Sequence, residues 1–249
     1  MKYMGSKNRI AKYLLPIILK DRKEGQWYVE PFVGGCNMID KVDGLRMGND
    51  RNEYLIAMWK ALQNGWVPPE VVTELEYQEI KNNQDFYPKE LVAYVGFAMS
   101  FGSKWWAGYA KNGRGDRYDA QGYNSMMKQL SKIKDVQFSS LSYFEMIIPQ
   151  NSIIYCDPPY FSATRYKDKF YHDKFWQWCR EKVRQGHWVF VSEYIAPDDF
   201  VCIKEIQTNT QLANGSNSGN MVKIEKLFCH KSQYKSVPKE IQQQLSLQL

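Results

Sequence analysis

Short apolar runs that end on an acidic residue recur along the chain, and they predict the strands of an α/β sheet. Residues 27–30 end on Glu30, and residues 45–50 end on Asp50. Between them lie a glycine turn and a segment, 36–42, whose apolar spacing predicts a helix. A strand, a glycine turn, a helix and a second strand are typical of the front half of a nucleotide-binding sheet.

The alternation of strands and helices resumes in the second half of the chain. Buried strands are predicted at residues 152–156 and 188–192, and a final pair at residues 201–206 and 221–228. The helix between the first two of these strands covers residues 174–185, with Asp173 as its N-cap and Gly186 as its stop. The chain therefore has the element order of an α/β fold.

Residues 57–136 show a different pattern. Helical spacing dominates there, as in residues 91–101, and a polar loop rich in glycine, lysine and arginine covers residues 102–124. We therefore predict that this stretch is an insert in an α/β domain, which residues 1–56 and 137–249 form together.

Charge is distributed unevenly within the insert, although the whole chain carries a net charge of only +6. Acidic residues outnumber basic ones in residues 70–90, whereas residues 104–134 contain seven basic residues and two acidic ones. A basic stretch with interleaved aromatic rings, here including Trp105 and Trp106, favours a nucleic-acid ligand. An ordinary solvated helix surface is the alternative interpretation.

Composition argues against several other classes of function. The five cysteines contain no C-x-x-C pair, which indicates reduced thiols, and the three histidines stand alone, so no metal site is expected. No run of about 18 apolar residues occurs, and the first residues lack a signal-peptide pattern. A cytoplasmic protein without a membrane partner is predicted.

The turn after the first predicted strand, Glu30-Pro31-Phe32-Val33-Gly34-Gly35, suits a nucleotide. Glycines let the backbone approach a ligand, and an acid at the tip of the next strand accepts hydrogen bonds from ribose hydroxyls. Asp50 occupies that tip. The glycine spacing departs from the G-x-G-x-x-G of NAD enzymes, so an adenosine ligand without a pyrophosphate fits better than NAD. A mere tight turn is the alternative.

The predicted strand at residues 152–156 runs into Asp157-Pro158-Pro159-Tyr160, at the edge where ligands of open α/β sheets bind. The two prolines stiffen this turn. The Asp157 carboxylate and the Pro158 carbonyl accept hydrogen bonds, and Tyr160 offers a flat face. This group suits a planar ring that carries an exocyclic amine, and an ordinary proline turn is the alternative.

Such a group would solve a chemical problem of the nucleic-acid bases. The amine of adenine or cytosine is a poor nucleophile because its lone pair is delocalised into the ring. Two acceptors on its hydrogens localise that pair and stabilise the positive charge that grows on the attacking nitrogen. A carboxylate then receives the released proton. The base has to leave the duplex to reach the pocket.

With these motifs, the chain resembles the Dam-type (D12 class) DNA adenine-N6 methyltransferases of phages and bacteria. Lys2-Tyr3-Met4-Gly5-Ser6-Lys7 looks like the family's N-terminal cofactor motif, and Asp50 looks like its ribose-binding acid. Asp157-Pro158-Pro159-Tyr160 matches the catalytic tetrapeptide, and residues 101–109 are similar to part of the DNA-recognition insert. The resemblance implies a Rossmann-like, seven-stranded α/β sheet with an antiparallel edge, S-adenosylmethionine as methyl donor, and a mainly helical insert that binds double-stranded DNA.

The resemblance also implies roles for individual residues. The methyl donor is expected at Tyr3, Lys7, Glu30, Phe32, Gly34, Asp50 and Asp157. The flipped adenine is expected at the catalytic residues Asp157, Pro158 and Tyr160. The DNA duplex is expected at Lys104, Trp105, Lys111, Arg114 and Arg117. Direct methyl transfer is expected, without a metal, a covalent intermediate or an obligatory protein partner.

Other functions stay open from the residues alone. Methylation of cytosine N4 poses the same amine problem, although such enzymes usually have serine where this chain has Asp157. A DNA-binding relative without catalysis is a second alternative, and a nicotinamide oxidoreductase is a third. Three features depart from the family pattern: Cys36 in the glycine turn, Ser192-Glu193-Tyr194 at the predicted rim of the base pocket, and the insert, which is only weakly similar beyond residues 102–109.

Overall fold

The computed structural model describes residues 1–111, 118–160, 170–211 and 220–234, and it contains a mostly parallel seven-stranded sheet. The strands are β1 (Tyr28–Glu30), β2 (Arg46–Asn49), β3 (Val136–Ser139), β4 (Ile153–Cys156), β5 (Trp188–Glu193), β6 (Phe200–Gln211) and β7 (Asn220–His230). Their order in the sheet is β3-β2-β1-β4-β5-β7-β6. Strand β2 runs parallel to β1 and β3, and β4 runs parallel to β5. Strand β7 is antiparallel to both β5 and β6, so the predicted α/β class with an antiparallel edge is confirmed.

Helices connect these strands. They are α1 (Ala11–Ile18), α2 (Glu53–Gln63), α3 (Glu74–Asn82), α4 (Lys89–Ala98), α5 (Tyr118–Ile133), α6 (His172–Arg184) and α7 (Lys231–Tyr234). Single 3-10 turns cover Ile39–Lys41, Gln84–Phe86 and Phe101–Ser103. None of the helices in the described ranges is long and apolar enough to cross a membrane.

The chain divides into two compact units. The first unit comprises Met1–Ala11 with Trp27–Ile147, and the second comprises Lys12–Gln26 with Ile148–Leu249. Strands β1, β2 and β3 and helices α2 to α5 belong to the first unit, while β4 to β7, α6 and α7 belong to the second. The predicted insert, residues 57–136, lies within the first unit, and its boundaries stay a prediction.

Each unit has an apolar core that supports its strands. In the first unit the side chains of Trp59, Tyr77 and Tyr94 are fully buried, and a capping box at Thr73 fixes the start of α3. In the second unit Tyr155 on β4 and Phe175 on α6 are fully buried. These cores hold the ends of the strands in place, so the backbone positions of the polar residues that follow the strands are fixed as well.

Three local predictions were wrong, and one strand was missed. Within residues 36–42 only the 3-10 turn Ile39–Lys41 forms. The residues before it belong to a tight loop in which Cys36 has a φ of 55°, which is incompatible with a helix. Helix α5 already begins at Tyr118, inside the predicted polar loop. Strand β3 was not predicted. Asp173 lies in the first turn of α6, whose N-cap is Tyr171.

Candidate functional site

In the first unit, the loop Gly34-Gly35-Cys36 is held by side chains that bind its carbonyl oxygens. The Trp59 indole Nε1 donates to the Gly34 oxygen at 3.0 Å. The Gln129 side-chain amide donates to the oxygens of Gly35 and Cys36, at 3.0 Å each. Gly34 and Cys36 both have positive φ values, 46° and 55°. The carbonyls of Gly34 and Gly35 lie outside any regular helix or strand, so these side-chain donors satisfy them.

The side chain of Tyr3 packs directly on this loop. A Cβ atom added to Gly35 would lie 2.6 Å from the Tyr3 Cβ, and one added to Gly34 would lie 2.8 Å from the Tyr3 Cε1. Only glycine therefore permits the contact. The Tyr3 ring also lies 5.3 Å from that of Phe97 on α4, so Tyr3 connects the loop with the helices of the same unit.

Asp50 follows β2 and reaches the same loop. Its Oδ2 accepts a hydrogen bond from the Gly34 amide at 3.1 Å, and its Oδ1 accepts one from the Asn52 amide at 2.9 Å. Burial raises the pKa of Asp50, and the two amide hydrogen bonds counteract that rise only in part. Each carboxylate oxygen has a second lone pair, so Asp50 retains acceptor capacity for a ligand.

The other predicted cofactor residues of this unit, Lys7, Glu30 and Phe32, precede the loop in the sequence. Glu30, at the end of β1, is only 3% exposed. Phe32 packs against Tyr143 with ring centroids 5.3 Å apart. Lys7 is buried, and its ammonium donates to the Gly5 oxygen at 3.3 Å. Burial, and next the negative charge of Glu30, raise the pKa of the Cys36 thiol, so Cys36 is a neutral loop residue.

Replacing Trp59 by phenylalanine tests whether the loop depends on its indole bond. Loss of a donor to a buried carbonyl is expected to lower the free energy of unfolding by about 1–3 kcal/mol. Trp66→Phe is the matched control, since Trp66 is half-buried against Tyr94 and contacts no residue of the loop in the described hydrogen bonds. Thermal unfolding measures both variants, and equal losses would contradict a specific role for the Trp59 bond.

In the second unit, the tetrapeptide Asp157-Pro158-Pro159-Tyr160 follows β4 directly, as predicted. Asp157 and Tyr160 are half-buried, and Pro158 is buried. The Tyr160 hydroxyl donates to the Glu225 Oε2 at 2.8 Å. Burial, followed by the charges of Asp157 and Glu225, raises the pKa of the Tyr160 phenol, which keeps it protonated. Tyr160 is therefore held as a neutral aromatic ring beside a carboxylate.

Sequence reasoning missed several neighbours of this tetrapeptide. Tyr194 contacts the Tyr160 ring edge-on, with centroids 4.7 Å apart at 86°. The Tyr155 hydroxyl on β4 shares a 2.8 Å hydrogen bond with that of Ser192 on β5. The only signal for Tyr194 was its place in the segment expected at the rim of the base pocket. Glu225 carried none, because it lies 65 residues from Tyr160 along the chain.

The predicted DNA-binding residues are placed unequally. Lys104 is exposed, and Lys111 is exposed with its ammonium 2.7 Å from the Glu74 carboxylate. Trp105 is half-buried, 4.7 Å from the Phe97 ring and 5.4 Å from that of Trp106. Arg114 and Arg117 lie outside the described residues. Within the described ranges, no group of three or more histidine, cysteine, aspartate or glutamate residues is arranged to hold a metal ion.

Residues 3–91 match the model of the family described as D12 class N6 adenine-specific DNA methyltransferase. The matched range contains the Gly34-Gly35-Cys36 loop and Asp50, and it ends before Lys104 and the tetrapeptide. No curated protein matches the chain.

Proposed function

We propose that the chain, whose residues 3–91 match the D12 class family, is a DNA adenine methyltransferase of that class. Its proposed methyl donor is S-adenosylmethionine, and its proposed acceptor is an adenine flipped out of duplex DNA. The donor assignment rests on the hydrogen bond that the Gly34 amide of the glycine loop donates to the Asp50 carboxylate. The observation that carries the acceptor assignment is the sequence Asp157-Pro158-Pro159-Tyr160 at the end of β4.

The residues of the first unit suit the proposed donor. S-adenosylmethionine presents ribose hydroxyls, and the free lone pairs of the Asp50 carboxylate match them. It also carries cationic ammonium and sulfonium groups, which suit the buried acid Glu30. Tyr3, Lys7, Phe32 and Gly34 complete the proposed pocket. When bound, the donor supplies a methyl group that is activated by the positive sulfur.

The tetrapeptide is proposed to make the adenine amine nucleophilic. The Asp157 carboxylate and the Pro158 carbonyl accept the two N6 hydrogens, which localises the nitrogen lone pair. The same acceptors stabilise positive charge on the nitrogen as it attacks, and they are fixed before the reaction begins. Asp157 then takes the proton that N6 loses, because it is the carboxylate in hydrogen-bond contact with that hydrogen. Tyr160 stacks on the base.

Only a base outside the double helix can place its amine between the Asp157 and Pro158 acceptors, so base flipping is part of the proposal. Residues 1–56 and 137–249 are proposed as the catalytic domain, and residues 57–136 as the domain that recognises the target. Lys104, Trp105 and Lys111, together with Arg114 and Arg117, are proposed to bind the DNA. Their cationic side chains suit phosphates, while the packing of Trp105 suits a supporting role rather than stacking on a base.

Incubation with methyl-labelled S-adenosylmethionine and unmethylated genomic DNA tests the proposal. Digestion to nucleosides is expected to yield label in N6-methyladenine. Label in N4-methylcytosine would favour the cytosine alternative, which shares the amine chemistry. Failure of the chain to transfer any label, while it still binds DNA, would favour a relative without catalysis. Sequencing around the modified adenines then gives the target sequence.

Neutralising an exposed lysine of the proposed DNA surface is expected to weaken binding through lost phosphate contacts. For Lys104→Gln, the slope of log K against log salt is expected to fall by about one, with weaker binding at low salt. Lys20→Gln is the control, since Lys20 is also exposed and lies outside residues 57–136. Fluorescence anisotropy over a range of salt concentrations measures DNA binding of both variants. If their slopes are identical, Lys104 does not contact DNA.

The cellular setting is a further part of the proposal. A cytoplasmic site of action, in a bacterium or a phage-infected cell, fits a substrate that is DNA. The existence of a partner restriction enzyme is tested by asking whether DNA methylated by this chain resists cleavage by host extracts.

A further inference from the structure

The Tyr160 ring is held by two side chains of the second unit to which the proposed function gives no role. Its hydroxyl donates to the Glu225 Oε2 at 2.8 Å, and its ring meets the edge of Tyr194 at a centroid distance of 4.7 Å. The hydrogen bond restrains the tip of the phenol, and the edge-on contact restrains its ring. A tyrosine side chain has only two rotatable torsions, so two such contacts strongly restrain its orientation.

The sheet itself directs Glu225 toward Tyr160. Glu225 and Lys226 are neighbours on β7, and successive side chains of a strand point to opposite faces. The Lys226 ammonium pairs with Glu205 on the adjacent strand β6, at 3.2 Å. Glu225 therefore lies on the other face, where it meets the tetrapeptide. A shift of one residue in the register of β7 would exchange the two.

A hydrogen bond from a phenol to a carboxylate is stronger than one between neutral groups, because the acceptor is charged. Such a bond holds its donor in one direction. A stacking surface must stay at a fixed distance and angle from its base for the amine to meet the two acceptors. A displacement of about 1 Å in a catalytic group costs up to about 10²-fold in rate.

We propose that Glu225 is a positioning residue, which holds the Tyr160 ring in the orientation that stacks on the acceptor base, with Tyr194 bracing the ring from the side. The inference rests on the proposed function, in which Tyr160 stacks on adenine. In this role Glu225 acts through the Tyr160 hydroxyl and does not touch the substrate, so its removal is expected to affect the catalytic step rather than binding of DNA or donor.

Four variants form the test: Glu225→Ala, Glu225→Gln, Tyr160→Phe, and Tyr160→Phe combined with Glu225→Ala. Steady-state transfer of labelled methyl groups to unmethylated DNA gives kcat and KM for each. Glu225→Ala and Tyr160→Phe are each expected to lower kcat about tenfold with unchanged KM values. Glu225→Gln should lose less, since its carbonyl accepts the same bond without the charge. Glu205→Gln is the matched control on β6 and should leave kcat unchanged.

The combined variant decides between a role through Tyr160 and any other role. If Glu225 acts only on the hydroxyl, the combined variant loses no more than Tyr160→Phe alone. If the kcat losses of the two single variants multiply in the combined variant, or if Glu225→Ala is fully active, the inference is overturned. The proposed function still stands in either case, provided that the unsubstituted protein transfers label to adenine. An unsubstituted protein that transfers no label to adenine would overturn both. Thermal unfolding verifies that each variant is folded.

A readout that needs no activity accompanies the kinetics. Fluorotyrosine incorporated at position 160 reports the ionisation of this phenol by fluorine NMR. Burial and the charge of Asp157 raise the pKa of that phenol most, and the Glu225 carboxylate raises it further, so Glu225→Gln is expected to lower the pKa. An unchanged pKa would show that the two groups are not in contact in solution, and it would overturn the inference whatever the enzyme does to DNA.

Discussion

Asp157→Ala is expected to reduce methyl transfer by about 10³-fold or more and to leave DNA binding largely unchanged. The variant loses both an acceptor that is fixed before the reaction, worth about 10²–10³-fold, and the group that receives the N6 proton, worth about 10²–10⁴-fold. Binding survives because contacts to phosphates supply most of the affinity for DNA. Single-turnover transfer and fluorescence anisotropy measure the two properties separately.

Asp173→Ala is the control for this variant. Asp173 is an exposed aspartate of the same unit, in the first turn of α6, and its removal should leave transfer intact. Asp157→Asn, which keeps the size of the side chain and one acceptor oxygen, is expected to fall between Asp157→Ala and the unsubstituted protein. Full transfer by Asp157→Ala would refute the assignment of the tetrapeptide as the catalytic group.

Asp50→Ala is expected to weaken binding of S-adenosylmethionine about a hundredfold, through loss of charge-assisted hydrogen bonds worth about 1.5–3 kcal/mol each. The loop would also lose the bond between the Gly34 amide and the Asp50 carboxylate. Isothermal titration calorimetry with the donor analogue S-adenosylhomocysteine measures the change without catalysis. Asp85→Ala, at an exposed aspartate of the same unit, should bind the analogue normally.

The affinity for the donor is also expected to depend on pH through Asp50. The ionised carboxylate is the better acceptor for ribose hydroxyls, and burial raises its pKa above that of an ordinary aspartate. Affinity should therefore be highest at neutral pH and should fall on acidification earlier than it would for an unshifted aspartate. Asp50→Asn should bind more weakly and lack this part of the pH dependence. A flat profile in the unsubstituted protein would exclude Asp50 from the donor site.

The strands that lead to the candidate site were predictable because each is a short apolar run that stops at a polar residue. Strands β1, β2, β4 and β5 all appear close to their predicted positions. Strand β3 gave no such signal, since only Val136 among its four residues is buried. Its conformation depends on pairing with β2, in which Val136 lies opposite Arg46, and a partner about 90 residues away leaves no trace in the local pattern.

The residues of the candidate site likewise fall into those that the sequence predicts and those that it does not. Glycines, the acid at Asp50 and the tetrapeptide are recognisable because the chemistry demands those residue types at adjacent positions. The side chains that hold them are not: Trp59 and Gln129 on the loop, and Glu225 on the tyrosine. An ordinary tryptophan, glutamine or glutamate on a helix or strand has no sequence signature, and only the fold brings it to its partner.

Gln129 also limits how the protein could be re-engineered. It lies on α5, inside the predicted recognition segment 57–136, yet its amide binds the carbonyls of Gly35 and Cys36 and the Asp40 carboxylate. A chimera that exchanges the whole segment for a homologue's would discard these three bonds along with the old specificity. Domain grafts should therefore leave the C-terminal turns of α5 with the recipient.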